Sequence, residues 1–144
     1  MCEKAIMIIV DGAPRGKARP RFRRVGQYVQ TYTDEATRRY EDAIRAAIPQ
    51  GAASFSEDVP LRLSIISYHP IPKSWSKTKR AAAETHDIRP IGKPDSDNIL
   101  KIVADALQGE GGIIPDDRQI VEMSIRKEYD KVPRIEITVQ EVTR

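Results

Sequence analysis

A helix that opens on two carboxylates constrains this chain more than any other feature. Lys93-Pro94-Asp95-Ser96-Asp97-Asn98 leads into a run where Ile99, Leu100, Val103, Ala106 and Leu107 recur near the 3.6-residue period, so one helix face must be buried. Asp97, Lys101 and Asp105 fall at i, i+4 and i+8 on the polar side, where Asp105 can pair with Lys101. Asp95 or Asp97 suits the N-cap, and Gly109 suits a left-handed stop. One cap needs only one carboxylate, however, and two are present. Beyond the glycine-rich turn Gly109–Gly112 stand two more, Asp116 and Asp117. If that loop folds back to the helix N-terminus, three or four acidic oxygens crowd one point, and such charges repel unless a cation lies between them. Oxygen donors without nearby Cys or His favour Mg²⁺ or Mn²⁺ over zinc. Lys101, one turn on, then holds a phosphate or stabilises charge on a leaving oxygen.

The joint pattern Lys-Pro-Asp-x-Asp-Asn-x-x-Lys, Asp-Ala-Leu and Asp-Asp-x-Gln-Ile-Val-Glu resembles the RusA family of Holliday-junction resolvases, endonucleases found largely in phages and prophages. The likeness is close over residues 93–128 and looser at Gly12–Pro20, Pro70–Arg80 and Pro133–Ile137. It implies that Asp95, Asp97 and Asp117 are catalytic metal-binding carboxylates and that Lys101 is the catalytic lysine. Asn98 then orients a carboxylate, and Asp116 shapes the loop or supports the site from behind. Ser96 departs from the family, which usually has an apolar residue there, but that position is not expected to touch metal. The resemblance also implies a homodimer. A four-way junction is cut on two matching strands, and a two-fold dimer supplies two matching sites.

Charge supports a nucleic-acid partner. The net charge is only +3, but its distribution is uneven. Between Gly12 and Thr33 lie Arg15, Lys17, Arg19, Arg21, Arg23 and Arg24 with no acid; between Pro70 and Ala83 lie Lys73, Lys77, Lys79 and Arg80, again with no acid. A guanidinium fork suits phosphate oxygens. Arg15, Lys17, Arg19, Arg21, Arg23, Lys77, Lys79, Arg80 and Lys93 are therefore expected to hold DNA around the acidic pocket. The one cysteine, Cys2, permits no disulfide within the chain, which fits a reducing cytoplasm; the family resemblance implies that this is a bacterial host cell's, with a phage or prophage origin. No signal peptide is recognisable, and no apolar stretch is long enough to span a bilayer. His69 and His86 are isolated and read as structural groups rather than ligands.

In chain order, Lys4–Val10 is apolar on both faces and reads as a buried strand, followed by the Asp11-Gly12 turn and a basic, proline-containing segment. If that segment is extended, Arg19, Arg21 and Arg23 share a face, with Val25-Gly26 as the tip of a hairpin. Thr33 is placed to cap a helix running to about Ile48, with Ala36, Tyr40, Ala43, Ile44 and Ala47 inward. Leu61–Tyr68 is a second strand. Ser74 or Ser76 caps a short helix to about Thr85, with Trp75 packing against it. After the helix at Asp97 come strands around Val121–Arg126 and Ile135–Val139, whose short connection predicts a hairpin. The expected order is β-α-β-α-α-β-β. This is an α/β (α+β) chain, one domain over 1–144, with a mixed sheet of about four strands and helices packed on it. The active site is expected where the helix at Asp97 meets the loop at Asp117.

The function that follows is a Mg²⁺-dependent, structure-selective endodeoxyribonuclease acting on four-way DNA junctions in recombination and repair. A nuclease for flaps or forks would use the same metal site. A DNA-binding module without catalysis would leave the Asp95/Asp97 pair unexplained. A small-molecule phosphatase fits poorly: there is no Walker-type glycine loop, and the basic residues far exceed what one phosphate requires.

Overall fold

Period-two alternation builds the sheet, and its burial shows which face the helices cover. The computed structural model describes residues 4–18, 21–32 and 34–142, with Arg21 and Tyr32 described in the main chain only. Its four-stranded mixed sheet runs in the order β1 (Ala5–Asp11), β6 (Arg134–Glu141), β4 (Leu61–Pro70), β5 (Ile120–Asp130). Helices α1 (Glu35–Ala46), α2 (Lys77–Glu84) and α3 (Ser96–Leu107) complete the expected order, and β2 (Arg21–Val25) and β3 (Tyr28–Tyr32) form a separate antiparallel ribbon. The ribbon turns at Gly26, as its sequence predicts.

Ile6, Ile8 and Val10 of β1, Leu61, Leu63 and Ile65 of β4, and Ile135, Ile137 and Val139 of β6 form one inward row. Tyr40 and Ile44 of α1 and Ile99, Ile102, Val103, Ala106 and Leu107 of α3 close over it in a single core cluster. β1 is not buried on both faces as its composition suggests. It is an edge strand, and its second row includes Met7 and Ile9, 57% and 48% exposed. One layer of helices covers one side of the sheet, so apolar content alone overstates burial. β5 is the other edge, with Val121 and Met123 exposed.

The predicted β5–β6 hairpin does not form. β4 lies between the two strands, parallel to β5 and antiparallel to β6. A parallel neighbour needs a long crossover, and α2 and α3 lie within the one joining β4 to β5. Residues 131–133 then pass over the end of β4, where Asp130 pairs with Pro70 and Arg134 with Tyr68. Arg134 braces this step: its guanidinium donates to Asp130 at 2.6 Å, to the Val132 carbonyl at 2.8 Å and to Glu136 at 2.8 Å, and lies 4.0 Å from the Tyr68 ring centre. Those hydrogen bonds hold the Asp130 carboxyl below its ordinary pKa.

α1 starts at Asp34, which is the N-cap residue; Thr33, the expected cap, lies outside the described residues. Buried Thr37 and Glu41 widen its inward face beyond the apolar stripe. α2 starts as expected, with the Ser76 hydroxyl accepting from the Lys79 amide. Trp75 packs edge-on against Tyr129 of β5, centroids 5.2 Å apart.

His69 is buried near the end of β4, with Nε2 2.7 Å from the Ser67 hydroxyl. Burial, then the charge of Lys127, push its pKa down from 6.5 to about 4. The unfolded chain therefore takes up a proton that the folded chain refuses until lower pH, and stability falls as pH drops through this window. The unfolding free energy from urea titrations should decline between pH 7 and 4.5, by roughly 2 kcal/mol. His69→Gln should decline less steeply; parallel profiles for the two proteins would overturn the assignment.

Candidate active site

The segment that delivers the two carboxylates is fixed from behind. Lys127 of β5 donates from Nζ to the carbonyls of Gly92 at 2.6 Å and Pro94 at 2.9 Å. Asp95 then takes the N-cap position of α3, with its own carbonyl accepting from the Ile99 amide at 3.1 Å. Its side chain makes no capping hydrogen bond. The expected position is right, but the carboxylate does not make the cap. Asp97 lies in the first turn and Lys101 one turn further, both exposed. Among the described residues, neither makes a side-chain hydrogen bond or ion pair. The unbonded N–H groups of the first turn favour anions here.

A cleft of about 720 Å³ opens beside Asp95, lined by Arg15, Gly16, Lys17, Asp34, Lys93 and Asn98 among others. The basic segment reaches it because Gly16 has no side chain. A Cβ there would stand 2.9 Å from Asn98 Cβ and 3.1 Å from Pro94 Cβ. The Lys17 amide donates to the Asn98 carbonyl at 2.9 Å. Asn98 thus seats the basic segment through its main chain, and among the described residues its amide side chain holds no carboxylate.

Lys17 is committed inside the protein. Its Nζ lies 3.0 Å from Glu41 of α1 and 3.2 Å from Asp105 of α3. Burial lowers its pKa, but the hydrogen bonds to Glu41 and Asp105 outweigh this and raise it. Asp105 therefore pairs with Lys17 rather than Lys101, because a cation in the groove between the helices is better shielded than one on an exposed turn. Of the other expected DNA-contacting cations, Arg15 and Lys93 are exposed at the cleft. Lys77, Lys79 and Arg80 are exposed on α2, with Lys79 Nζ 4.0 Å over the Trp75 ring. α2 packs on β5, and Trp75 meets Tyr129 there, two residues beyond Lys127, so these cations lie at the same end of the sheet as Asp95. Arg23 is on the ribbon and donates to Gln30 at 3.0 Å. Arg19 lies outside the described residues, as does the side chain of Arg21.

The acidic pair after the glycine turn does not return to the α3 N-terminus. The chain folds back on the other end: the Ile113 and Ile114 amides donate to the Leu107 carbonyl at 2.9 Å. Asp117 opens a short 3₁₀ turn, Asp117–Gln119, whose Gln119 side chain bonds the carbonyls of Ser56 and Val59. β5 begins next, and Lys127 stands seven residues up it, roughly 23 Å along a strand. Asp117 and Asp95 thus occupy opposite ends of α3. Among the described residues, no group of three or more His, Cys, Asp or Glu side chains is gathered to hold a metal ion. The crowding expected from the sequence is not present within one chain, because the tight Gly109–Gly112 turn keeps the following residues beside the C-terminus of α3. Asp116 is a structural cap: its carboxylate accepts from the Arg118 amide at 2.9 Å and from the Arg118 guanidinium at 2.6 Å and 3.0 Å. Those bonds bring its pKa down to about 2.

Sequence reasoning missed Lys127 and Asp34. Lys127 lies within an ordinary strand pattern, and its partners are carbonyls that no motif marks. Asp34 lines the cleft with Asp95, and its carboxylate also makes no capping bond; its place beside Thr33 just before a helix was the available signal.

A mixed sheet under α1 and α3, with Asp95 at the N-cap of α3 opening on a basic cleft and Asp97 in the first turn, makes a small α+β domain whose surface chemistry suits a nucleic-acid enzyme. The sequence profile of Endodeoxyribonuclease RusA matches residues 11–140, and the chain belongs to the RusA endodeoxyribonuclease family. It is 31% identical over 140 residues to the uncharacterized protein YqaN of Bacillus subtilis (strain 168), covering 96% of this chain and 97% of that protein. It is 27% identical over 135 residues to the crossover junction endodeoxyribonuclease rusA of Lactococcus phage r1t, covering 92% and 94%. Among the described residues no helix is long and apolar enough to cross a membrane.

Two variants test this local anatomy. Lys127→Met should raise amide hydrogen exchange across residues 93–98 at least about tenfold while core strands stay protected; unchanged exchange there would remove Lys127 from its anchoring role. Lys17→Met leaves Glu41 half of a broken pair and should cost roughly 2 kcal/mol in urea unfolding, with part of the loss recovered in Lys17→Met/Glu41→Gln.

Proposed function

We propose that this chain is a Mg²⁺-dependent endonuclease that resolves four-way DNA junctions by paired nicks, as a homodimer, in a bacterial cytoplasm and of phage or prophage origin. The observation that carries this reading is the pair Asp95 and Asp97. Both carboxylates are uncommitted among the described residues, Asp95 at the N-cap on the wall of a cleft bearing Arg15 and Lys93, and Asp97 in the first turn of the helix. A hard divalent cation fits such donors, which are all oxygen, and Mn²⁺ could replace Mg²⁺. When bound, the cation would polarise the scissile phosphate and lower the pKa of an attacking water.

The chain's own residues supply the remainder. Arg15 and Lys93 would hold the backbone phosphates that flank the cut, and the cations of α2, Lys77, Lys79 and Arg80, would extend that track. Lys101 would stabilise charge on the phosphorus centre or protonate the leaving 3′ oxygen. Asn98 and Asp116 keep supporting roles, one seating the basic segment and the other shaping the 3₁₀ turn. Lys17, bound by Glu41 and Asp105, would position its neighbours rather than reach a phosphate. Asp117 serves as a third ligand only if it comes from a second copy of the chain, since in one chain it stands at the far end of α3. The homodimer and the ligand set are therefore one proposal.

Cleavage of a synthetic four-way junction, a linear duplex and a flap tests the reading. Wild type with Mg²⁺ should nick the junction in symmetric pairs. Asp97→Asn should lose roughly a hundredfold or more of the rate while binding persists. Equal cutting of all three substrates would discard junction selectivity. Mixing Asp97→Asn with Asp117→Asn then tests the shared site. In a mixed dimer with Asp117 supplied across the interface, one site retains both aspartates, and single nicks should appear where neither variant cuts alone. A mixture as inactive as its parts would place Asp117 outside the shared site.

A further inference from the structure

We propose that the β2–β3 ribbon is the element that recognises the branch: its apolar tip stacks against base pairs left open at the crossover, and its arginines hold the phosphates beside them. This rests on the junction reading above and identifies which part of the DNA the chain distinguishes.

The ribbon pairs only with itself, and described side chains on both of its faces are exposed. Phe22, Tyr28 and Val29 are 68%, 79% and 71% exposed. Cross-strand register sets Phe22 opposite Thr31 and Arg24 opposite Val29 on one face, and Arg23 opposite Gln30 and Val25 opposite Tyr28 on the other. Each face thus carries an arginine beside an apolar group. Two strands with no layer beneath them are marginal in water, and clustered exposed apolar side chains mark a contact surface. Charge chooses the occupant. No acid lies between Gly12 and Thr33, so a second copy meeting this ribbon through the same ribbon would set arginine against arginine, whereas DNA offers phosphate beside the bases.

Placement fits the same occupant. The chain enters the ribbon shortly after Gly16 and Lys17 have docked on Asn98, and leaves it toward Asp34, on the wall of the cleft that holds Asp95. The ribbon therefore rises from the rim of the proposed cutting site. A linear duplex presents sealed stacks that must be opened at a cost. The pairs at a crossover already have an open face, so stacking there is favoured at the branch and little favoured elsewhere.

The test uses a junction carrying 2-aminopurine at the crossover and a linear duplex of the same sequence, titrated without divalent cation. Three proteins are compared: wild type, Tyr28→Ser/Val29→Ser and Arg24→Gln. Wild type should bind the junction more tightly and raise the 2-aminopurine fluorescence. The double variant should lose that rise and about tenfold of junction affinity, with duplex affinity little changed and the urea midpoint preserved. Arg24→Gln should weaken both DNAs alike. If wild type prefers the junction and the double variant keeps both the preference and the fluorescence rise, the ribbon does not recognise the branch. If the double variant instead changes the oligomeric mass by light scattering without DNA, the ribbon is a surface between copies and the proposal falls. Wild type without junction preference would overturn the functional reading itself.

Discussion

The ammonium of Lys17 sits between Glu41 and Asp105, and much of the site depends on that arrangement. α1 and α3 contact each other over the sheet, and each turns one carboxylate toward the groove between them. Two such charges facing each other across the groove would repel. One lysine from the basic segment resolves this. Because the Lys17 amide also bonds the Asn98 carbonyl, the same residue ties the segment to the first turn of α3. Arg15 reaches the cleft only because Gly16 and Lys17 are held there. A residue that looks in sequence like one more cation in a DNA-binding run is thus the joint that gives the others their direction. The pair carries a desolvation cost that limits its net contribution to stability, but its geometry determines where the neighbouring cations point.

Period and punctuation made most of the elements legible. The 3.6-residue recurrence from Ile99 to Leu107, the stop before Gly109 and the alternation in β4 and β6 each specified one structure. The ribbon turn at Gly26 was also readable, because a glycine between two extended runs leaves few alternatives. What could not be read was pairing. β5 and β6 are adjacent in sequence and separated by a short turn, which locally is the signature of a hairpin. Their separation by β4 depends on where the crossover through α2 and α3 returns, a property of the whole chain. β1 was misjudged for a related reason. Its Met7 and Ile9 fit a buried strand as well as an edge strand, and only the number of helix layers decides.

For the proposed site, the sequence offered candidate residue types but not their arrangement. Asp97 and Lys101 stand one turn apart on α3, so their relative placement follows from helix geometry alone, with Asp95 just before them at the N-cap. Asp117 depends on a loop, and the loop's direction is set by Gly109–Gly112 and by Gln119 reaching the carbonyls of Ser56 and Val59. Those contacts span about sixty residues of sequence and leave no mark in a local pattern. The same holds for Lys127, whose partners are backbone carbonyls.

The two carboxylates of the proposed site stand outside the framework of the fold. Buried acids must be neutralised or paired, but Asp95 and Asp97 are exposed at a helix N-terminus, where the first-turn amides point toward negative charge. Arg15 and Lys93 at the cleft add a field of the same sign. The core, from Ile8 and Ile65 to Ile102 and Leu107, is continuous and includes none of these groups. Folding and the proposed site therefore draw on separate residues. The helix that supplies the core with one face presents its opening turn, unsatisfied, to the cleft. On the proposed reading, that separation leaves the acidic pair available for a cation and a phosphate.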